Sequence, residues 1–187
     1  MTPAPTDTLP PWVILDRDGV INRDSDDYIK CVAEWTPLPG SLAAIGQLSR
    51  AGIRIAVATN QSGLARGYFN QAELDAMHNA MTQAVMAQGG RIDVIAYCPH
   101  APDDGCDCRK PKPGLLRQIA QTAGIELTGI PLVGDSLTDL HAAERVGAIP
   151  HLVLTGKGRR TLAALPAHHS YPVHADLQVF AAQLLDG

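Results

Sequence analysis

The chain has 187 residues, of which 45% are hydrophobic and 18% charged, enough for one domain with a proper core and unlike a disordered or coiled-coil chain. A net charge of −4 argues against non-specific nucleic-acid binding, although a local cluster of cations would still take a phosphate. No apolar run approaches the roughly 18 residues of a membrane span, so no membrane partner is expected.

Residues 1–11 are polar and Pro-rich, with neither the basic nor the apolar region of a secretory leader. They read as a loose tail, and the protein as a cytoplasmic monomer. The first predicted strand is the apolar run Trp12–Leu15, which delivers Asp16 to the C-terminal edge of a parallel sheet. Asp18 follows, and Gly19 lets the chain turn away. Two carboxylates this close repel each other unless a cation or shared proton compensates. An ordinary Asp-Gly turn is the bland alternative.

The interval from Asn22 to Pro39 lacks periodicity, and its acids Asp24, Asp26 and Asp27 read as a solvated loop. Pro39-Gly40-Ser41 opens a helix with Leu42, Ile45 and Leu48 inward, closed by Gly52. Ile53–Thr59 is the second strand. A helix over Gln71–Gln88 carries an Asn70/Glu73 capping box and a core stripe of Leu74, Met77, Met81 and Val85. Strands at Asp93–Tyr97, Ile130–Val133 and Pro150–Leu154 follow, with helices starting at Pro113-Gly114 and Ser136 and a closing helix over Asp176–Leu185. This alternation predicts a three-layer α/β fold with a parallel sheet, formed by residues 12–187 as one domain.

Four stretches carry chemistry. Thr59-Asn60-Gln61-Ser62-Gly63 ends the second strand with a hydroxyl and backbone N–H groups that suit phosphoryl oxygens, though turn chemistry alone would also produce it. Cys98, His100, Cys106 and Cys108 fall in one loop and form a Cys₃His set. Four protein ligands make a closed, structural Zn²⁺ site with no position for water. A disulfide would leave His100 unexplained, and Cys31 reads as a spare thiol. Arg109-Lys110-Pro111-Lys112 places a lysine that could neutralise a nucleophile and a phosphoryl group, with Lys112 read as solvated. Gly134-Asp135 ends the fourth strand with a carboxylate, and Asp139 reads as helpful either to the site or only to its own helix N-terminus. Asp16, Asp135 and the Asp18 carbonyl together suit octahedral Mg²⁺.

The run Asp16-Arg-Asp18-Gly-Val resembles the first motif of the haloacid dehalogenase (HAD) superfamily of phosphatases. The later motifs, with the run from Asn60 to Gly67 and the cysteine loop, narrow the resemblance to the D-glycero-D-manno-heptose 1,7-bisphosphate 7-phosphatase family. It spans Trp12 to about Gly156 and implies a Rossmann-like HAD fold without a large cap. It further implies Asp16 as nucleophile, Asp18 as acid/base, Lys110 as the third-motif lysine, and Thr59 and Asn60 as phosphoryl contacts. Gln61, Arg66 and Arg109 become candidate substrate contacts, with Mg²⁺ catalytic and Zn²⁺ structural. The implied substrate is a sugar bisphosphate on the way to nucleotide-activated heptose for lipopolysaccharide. Ser136 departs from members that carry lysine there. Two rivals stand beside this reading: a histidinol-phosphate phosphatase with a similar zinc loop, and a non-catalytic zinc-stapled binding protein.

Overall fold

The structure, a computed structural model, describes residues 11–186, so the expected tail falls almost wholly outside the described residues. Six parallel strands form one sheet: β1 (Trp12–Leu15), β2 (Arg54–Asn60), β3 (Val94–Cys98), β4 (Pro131–Gly134), β5 (Ile149–Val153) and β6 (Val173–His174). Their order is β3-β2-β1-β4-β5-β6. The chain winds outward from β1 through β2 to β3, then returns to the other side of β1 with β4. Open α/β sheets bind ligands where the winding direction reverses, at the strands' C-terminal ends. Here that crevice lies between β1 and β4, so the topology alone brings Asp16 and Asp135 together.

Six helices cover the sheet: α1 (Ser41–Arg50), α2 (Gln71–Ala87), α3 (Gly114–Ala123), α4 (Leu137–Glu144), α5 (Gly158–Ala164) and α6 (Leu177–Asp186). Side chains alternate along each strand, and both alternating sets are apolar because both faces are covered. Val13 and Leu15 pack with Ile45, Leu48, Met81 and Phe180 on one face. Trp12 and Ile14 pack with Leu115, Leu116, Ile119 and Ala142 on the other. Each of these large apolar chains contributes about 1.5–3 kcal/mol on burial. Asn70 and Glu73 form the expected capping box at the start of α2. The methionines at 77 and 81 are fully buried, as core residues should be.

The predicted strand ranges sit within a residue or so of the observed ones. Two elements go beyond the sequence reading. Helix α5 begins at Gly158 without a capping side chain, and β6 has only two residues, so neither carries a strong local signal. The interval after Asn22 holds one short 3-10 turn, Val32–Glu34, and no folded cap.

β5, β6 and α6 are joined by a partly buried polar chain. His151 and His174 stack with Nδ1 and Nε2 3.0 Å apart, and His174 Nδ1 lies 2.8 Å from Gln183 Oε1. Since Gln183 Oε1 can only accept, His174 donates from Nδ1, and its Nε2 is left to accept from His151. Both rings are then neutral. Burial and the His174 ring push His151 down to about 4, and burial lowers His174 as well. Burial, aided by Arg17, pushes His78 to about 4. Below about pH 6.5 the unfolded chain therefore binds more protons than the folded one. This contribution is complete above that pH and is lost as pH falls toward 4. The melting temperature should drop across that window, and His151→Phe should show a shallower drop. Equal slopes for the two proteins would refute this role for the pair.

Candidate active site

The residues of the site converge from four strand ends. Asp16 follows β1, Thr59 and Asn60 end β2, Lys110 follows the loop after β3, and Asp135 follows β4. Together they line a pocket of about 380 Å³, joined by Asp18, Gln61, Ser62, Arg109 and Lys157. At its centre is the ammonium of Lys110, 2% exposed. Its three protons have three acceptors: Asp16 Oδ1 at 2.9 Å, Asp139 Oδ1 at 2.5 Å and the Ala58 carbonyl at 2.6 Å. Burial opposes the charge, but Asp139 and Asp16 outweigh it, and the Lys110 pKa is raised. The lysine is a fixed cation. Asp139, left open in the sequence reading, thus serves the site, and its Oδ2 also accepts from the Ser136 N–H and hydroxyl.

Asp16 Oδ1 accepts the Arg17 N–H at 2.7 Å as well, which fixes the carboxylate's rotation and leaves Oδ2 without a protein donor among the described residues. Burial, with Asp139, Asp135 and Asp18 nearby, pushes the Asp16 pKa well up against the pull of Lys110. Burial and Asp139 likewise push Asp135 to about 7. One lysine does not balance this many carboxylates, so the donor set calls for a further cation.

One carboxylate oxygen from each of Asp16, Asp135 and Asp139 lies within 4.8 Å of the others. Asp139 is a poor direct ligand, because both of its oxygens already accept from Lys110 or Ser136. Asp16, Asp135 and the Asp18 backbone carbonyl fit a hard divalent cation better, since that carbonyl accepts no hydrogen bond among the described residues. Gly19 is needed here: at φ +85° an added Cβ would overlap Asp135 Oδ2.

The Asp18 side chain is held differently. Oδ1 accepts from Arg17 Nε at 3.1 Å and Asn22 Nδ2 at 2.8 Å; Oδ2 accepts from Arg17 Nη2 at 3.0 Å and Gln61 Nε2 at 2.9 Å. Burial alone would raise its pKa, but the Arg17 guanidinium and these hydrogen bonds hold it below the usual carboxylate range. In this arrangement Asp18 is an ionised base. Arg17, which no local pattern marks, is 1% exposed and clamps Asp18 in two-pronged fashion. A charged residue between two acids reads as a surface residue, and nothing local signals its burial.

Other expectations sort as follows. Thr59 is buried, and its hydroxyl accepts from Gln61. The Asn60 side chain makes a reciprocal pair with the Lys110 backbone, donating to its carbonyl and accepting from its N–H, each at 3.1 Å. Asn60 therefore positions Lys110 in addition to lining the pocket. Arg109 lines the pocket. Arg66 does not: it is exposed and lies outside the lining. Lys112 is not merely solvated, because its ammonium donates to the carbonyls of Gly105 and Cys106. Asp24 is not simply a loop acid either; it pairs with Lys157 at 3.0 Å. The loop after β5, whose role the residues alone leave open, joins the site. The Lys157 N–H donates to Asp135 Oδ2 at 2.7 Å, the Thr155 hydroxyl to Gly19 O, and the Thr161 hydroxyl to Asp135 O.

Cys98, His100, Cys106 and Cys108 point inward to a common centre. Their sulfurs are 3.2–3.6 Å apart, and His100 Nδ1 lies 3.2 Å from Cys108 and 3.6 Å from Cys98. Disulfides need about 2.05 Å. A tetrahedron with metal–sulfur bonds of about 2.3 Å has edges of roughly 3.7 Å, so the set fits zinc. Burial pushes the Cys98 thiol up to about 12, so a cation must displace its proton to make it a ligand.

Comparison with known proteins agrees with this geometry. A family model described as HAD-hydrolase-like matches residues 107–179. A D-glycero-beta-D-manno-heptose-1,7-bisphosphate 7-phosphatase of Pseudomonas aeruginosa is 57% identical over 92% of this chain and 97% of its own. The Escherichia coli K12 protein of the same name is 36% identical over 79% of this chain and 81% of its own. A crystal structure of the D,D-heptose 1,7-bisphosphate phosphatase of B. bronchiseptica, complexed with magnesium and phosphate, superposes with a TM-score of 0.90 at 52% identity, covering 94% of this chain and 98% of that one. The chain belongs to the D-glycero-β-D-manno-heptose-1,7-bisphosphate 7-phosphatase family of HAD-like hydrolases.

Proposed function

We propose that this chain is a Mg²⁺-dependent phosphatase that removes the 7-phosphate of D-glycero-D-manno-heptose 1,7-bisphosphate through an aspartyl-phosphate. The observation that carries the reading is Asp16, with one free carboxylate oxygen, set between the buried Lys110 ammonium and Asp135 in an open pocket. Relatives that carry this name at up to 63% identity supply the substrate. Residues 12–187 act as one unit, as a cytoplasmic monomer making a precursor of nucleotide-activated heptose for lipopolysaccharide. Among the described residues no helix is long and apolar enough to cross a membrane.

Asp16 attacks phosphorus through Oδ2 while Oδ1 stays on Lys110 and the Arg17 N–H. Magnesium, held by Asp16, Asp135 and the Asp18 carbonyl, supplies Lewis acidity toward the phosphoryl oxygens. Thr59 and the backbone at Asn60 orient those oxygens. Asp18 is ionised in the free enzyme; an arriving phosphoryl anion favours its protonated form, and it takes up a proton from solvent as the substrate binds. It gives that proton to the departing sugar oxygen and then takes one from the water that hydrolyses the intermediate. Arg109, which lines the pocket, is a candidate contact to the substrate's sugar or its second phosphate. Zinc bound by Cys98, His100, Cys106 and Cys108 would hold the loop that carries Arg109 and Lys110. Ordering loop backbone costs about 1–2 kcal/mol per residue, and a structural zinc contributes about 10–16 kcal/mol. The metal would offset much of that cost in so short and polar a loop.

Phosphate release from the bisphosphate, measured with and without Mg²⁺, tests the assignment directly; absence of Mg²⁺-dependent release would overturn it. Asp16→Asn should lower turnover roughly 10⁴-fold or more while keeping the fold, as expected for a lost nucleophile. Purified protein should hold one equivalent of zinc by elemental analysis, and Cys108→Ser should lose it. That variant should also lose about tenfold to a hundredfold in kcat, because Lys110 lies two residues from the lost ligand. Measured well below the variant's melting temperature, an undiminished kcat would show that zinc stabilises without positioning.

A further inference from the structure

Beside the catalytic pocket lies a second groove of about 530 Å³, and four of its eight lining residues are cationic. Arg23, Lys157, Arg159 and Arg160 line it, opposed by Asp24 and Asp26. Lys157 is engaged by Asp24, whereas the three arginines form no ion pair among the described residues. In a chain of net charge −4, four cations facing two acids in one concavity are a marked local excess. Guanidinium forks match the oxygens of a phosphate group better than any other common anion apart from a carboxylate. The charge excess, the concavity and the arginine chemistry therefore agree on the kind of ligand.

The seat is also rigid. The Thr155 hydroxyl is bonded to Gly19 O, the Lys157 N–H to Asp135 Oδ2, and the Thr161 hydroxyl to Asp135 O. Gly156 packs so closely that an added Cβ would overlap Asp135 Oδ2 and crowd the Gly19 backbone. The segment that presents Lys157, Arg159 and Arg160 is thus fastened to both carboxylate-bearing turns of the catalytic pocket. Asp24, Asp26 and Lys157 line both cavities, so the two share a wall.

We propose that this groove is a second phosphate-binding site, formed by Arg23, Arg159, Arg160 and Lys157, with the Asp24–Lys157 pair as its partition from the catalytic pocket. An arriving phosphate competes with Asp24 for Lys157. Its ligand is a phosphate-bearing anion from one of two sources: the non-reacting phosphate of the substrate, or a separate phosphate compound. The site itself stands apart from the sugar assigned above; only the choice of source rests on that reading.

Equilibrium dialysis against labelled inorganic phosphate, at constant ionic strength with Mg²⁺ present, counts bound equivalents. Wild-type protein should bind two, and Arg159→Ala/Arg160→Ala should bind one. Both arginines are exposed, so the variant should fold normally. Equal counts for the two proteins would overturn the proposal. Kinetics then identify the source. A rise of about tenfold in KM for the bisphosphate, with no change for a sugar monophosphate, assigns the site to the substrate's second phosphate. Unchanged KM values with loss of the second equivalent assign it to a separate phosphate compound. Loss of Mg²⁺-dependent turnover in the wild type would instead count against the enzyme assignment and leave the binding count intact.

Discussion

The structure depends above all on the buried ammonium of Lys110. Around Lys110 the sheet gathers Asp16, Asp135 and Asp139, and two unit charges 4 Å apart interact by about 4 kcal/mol at the effective dielectric of a protein surface. Without the ammonium, the carboxylates would protonate or separate. Its three protons are committed to Asp16, Asp139 and the Ala58 carbonyl, so it cannot swing away. Removing one partner from such a buried set typically costs about 3–5 kcal/mol. Much of the surrounding architecture serves to keep it there: Asn60 grips the Lys110 backbone, the Cys₃His loop fixes the preceding chain, and Lys112 ties down two carbonyls of that loop.

Division of labour between the two adjacent acids follows from their hydrogen bonds, although both are carboxylates at the same turn. Asp16 keeps an oxygen free and is destabilised as an anion by its acidic neighbours. Asp18 is surrounded by four donor contacts and is stabilised as an anion. A nucleophile needs an available lone pair, and an acid/base group needs a defined proton position. Under the proposed mechanism, the turn provides each to one residue by sending their side chains to different partners.

Much of this was legible in the sequence. The apolar runs ending in Asp16, Thr59 and Asp135 gave both the parallel sheet and the residues at its ligand-binding edge, because strand pattern and chemistry meet at the same positions. The Cys₃His loop was legible because few other arrangements explain three cysteines and a histidine in eleven residues. What could not be read were contacts made at long range by residues of ordinary appearance. Arg17 and Lys112 looked like surface charges, yet one is buried against Asp18 and the other clasps backbone carbonyls. Asp24 and Lys157 are far apart in the chain, and no local pattern links them. Arg66 illustrates the reverse: the motif around it is distinctive, but its side chain remains outside the pocket lining.

The support of Asp135 has a corollary for substitution. Its Oδ2 accepts from the main-chain N–H of Lys157, a donor that every residue except proline possesses. Point substitution at 157 therefore leaves this bond in place, whatever it does to the side chain. Adding or deleting one residue between Leu154 and Gly158 would move the donor out of line. The geometry of this segment therefore tolerates a change in the side chain at 157 more readily than a change in its length or in the smallness of Gly156, and substitution of the neighbouring cations would alter the outer groove without disturbing the carboxylate.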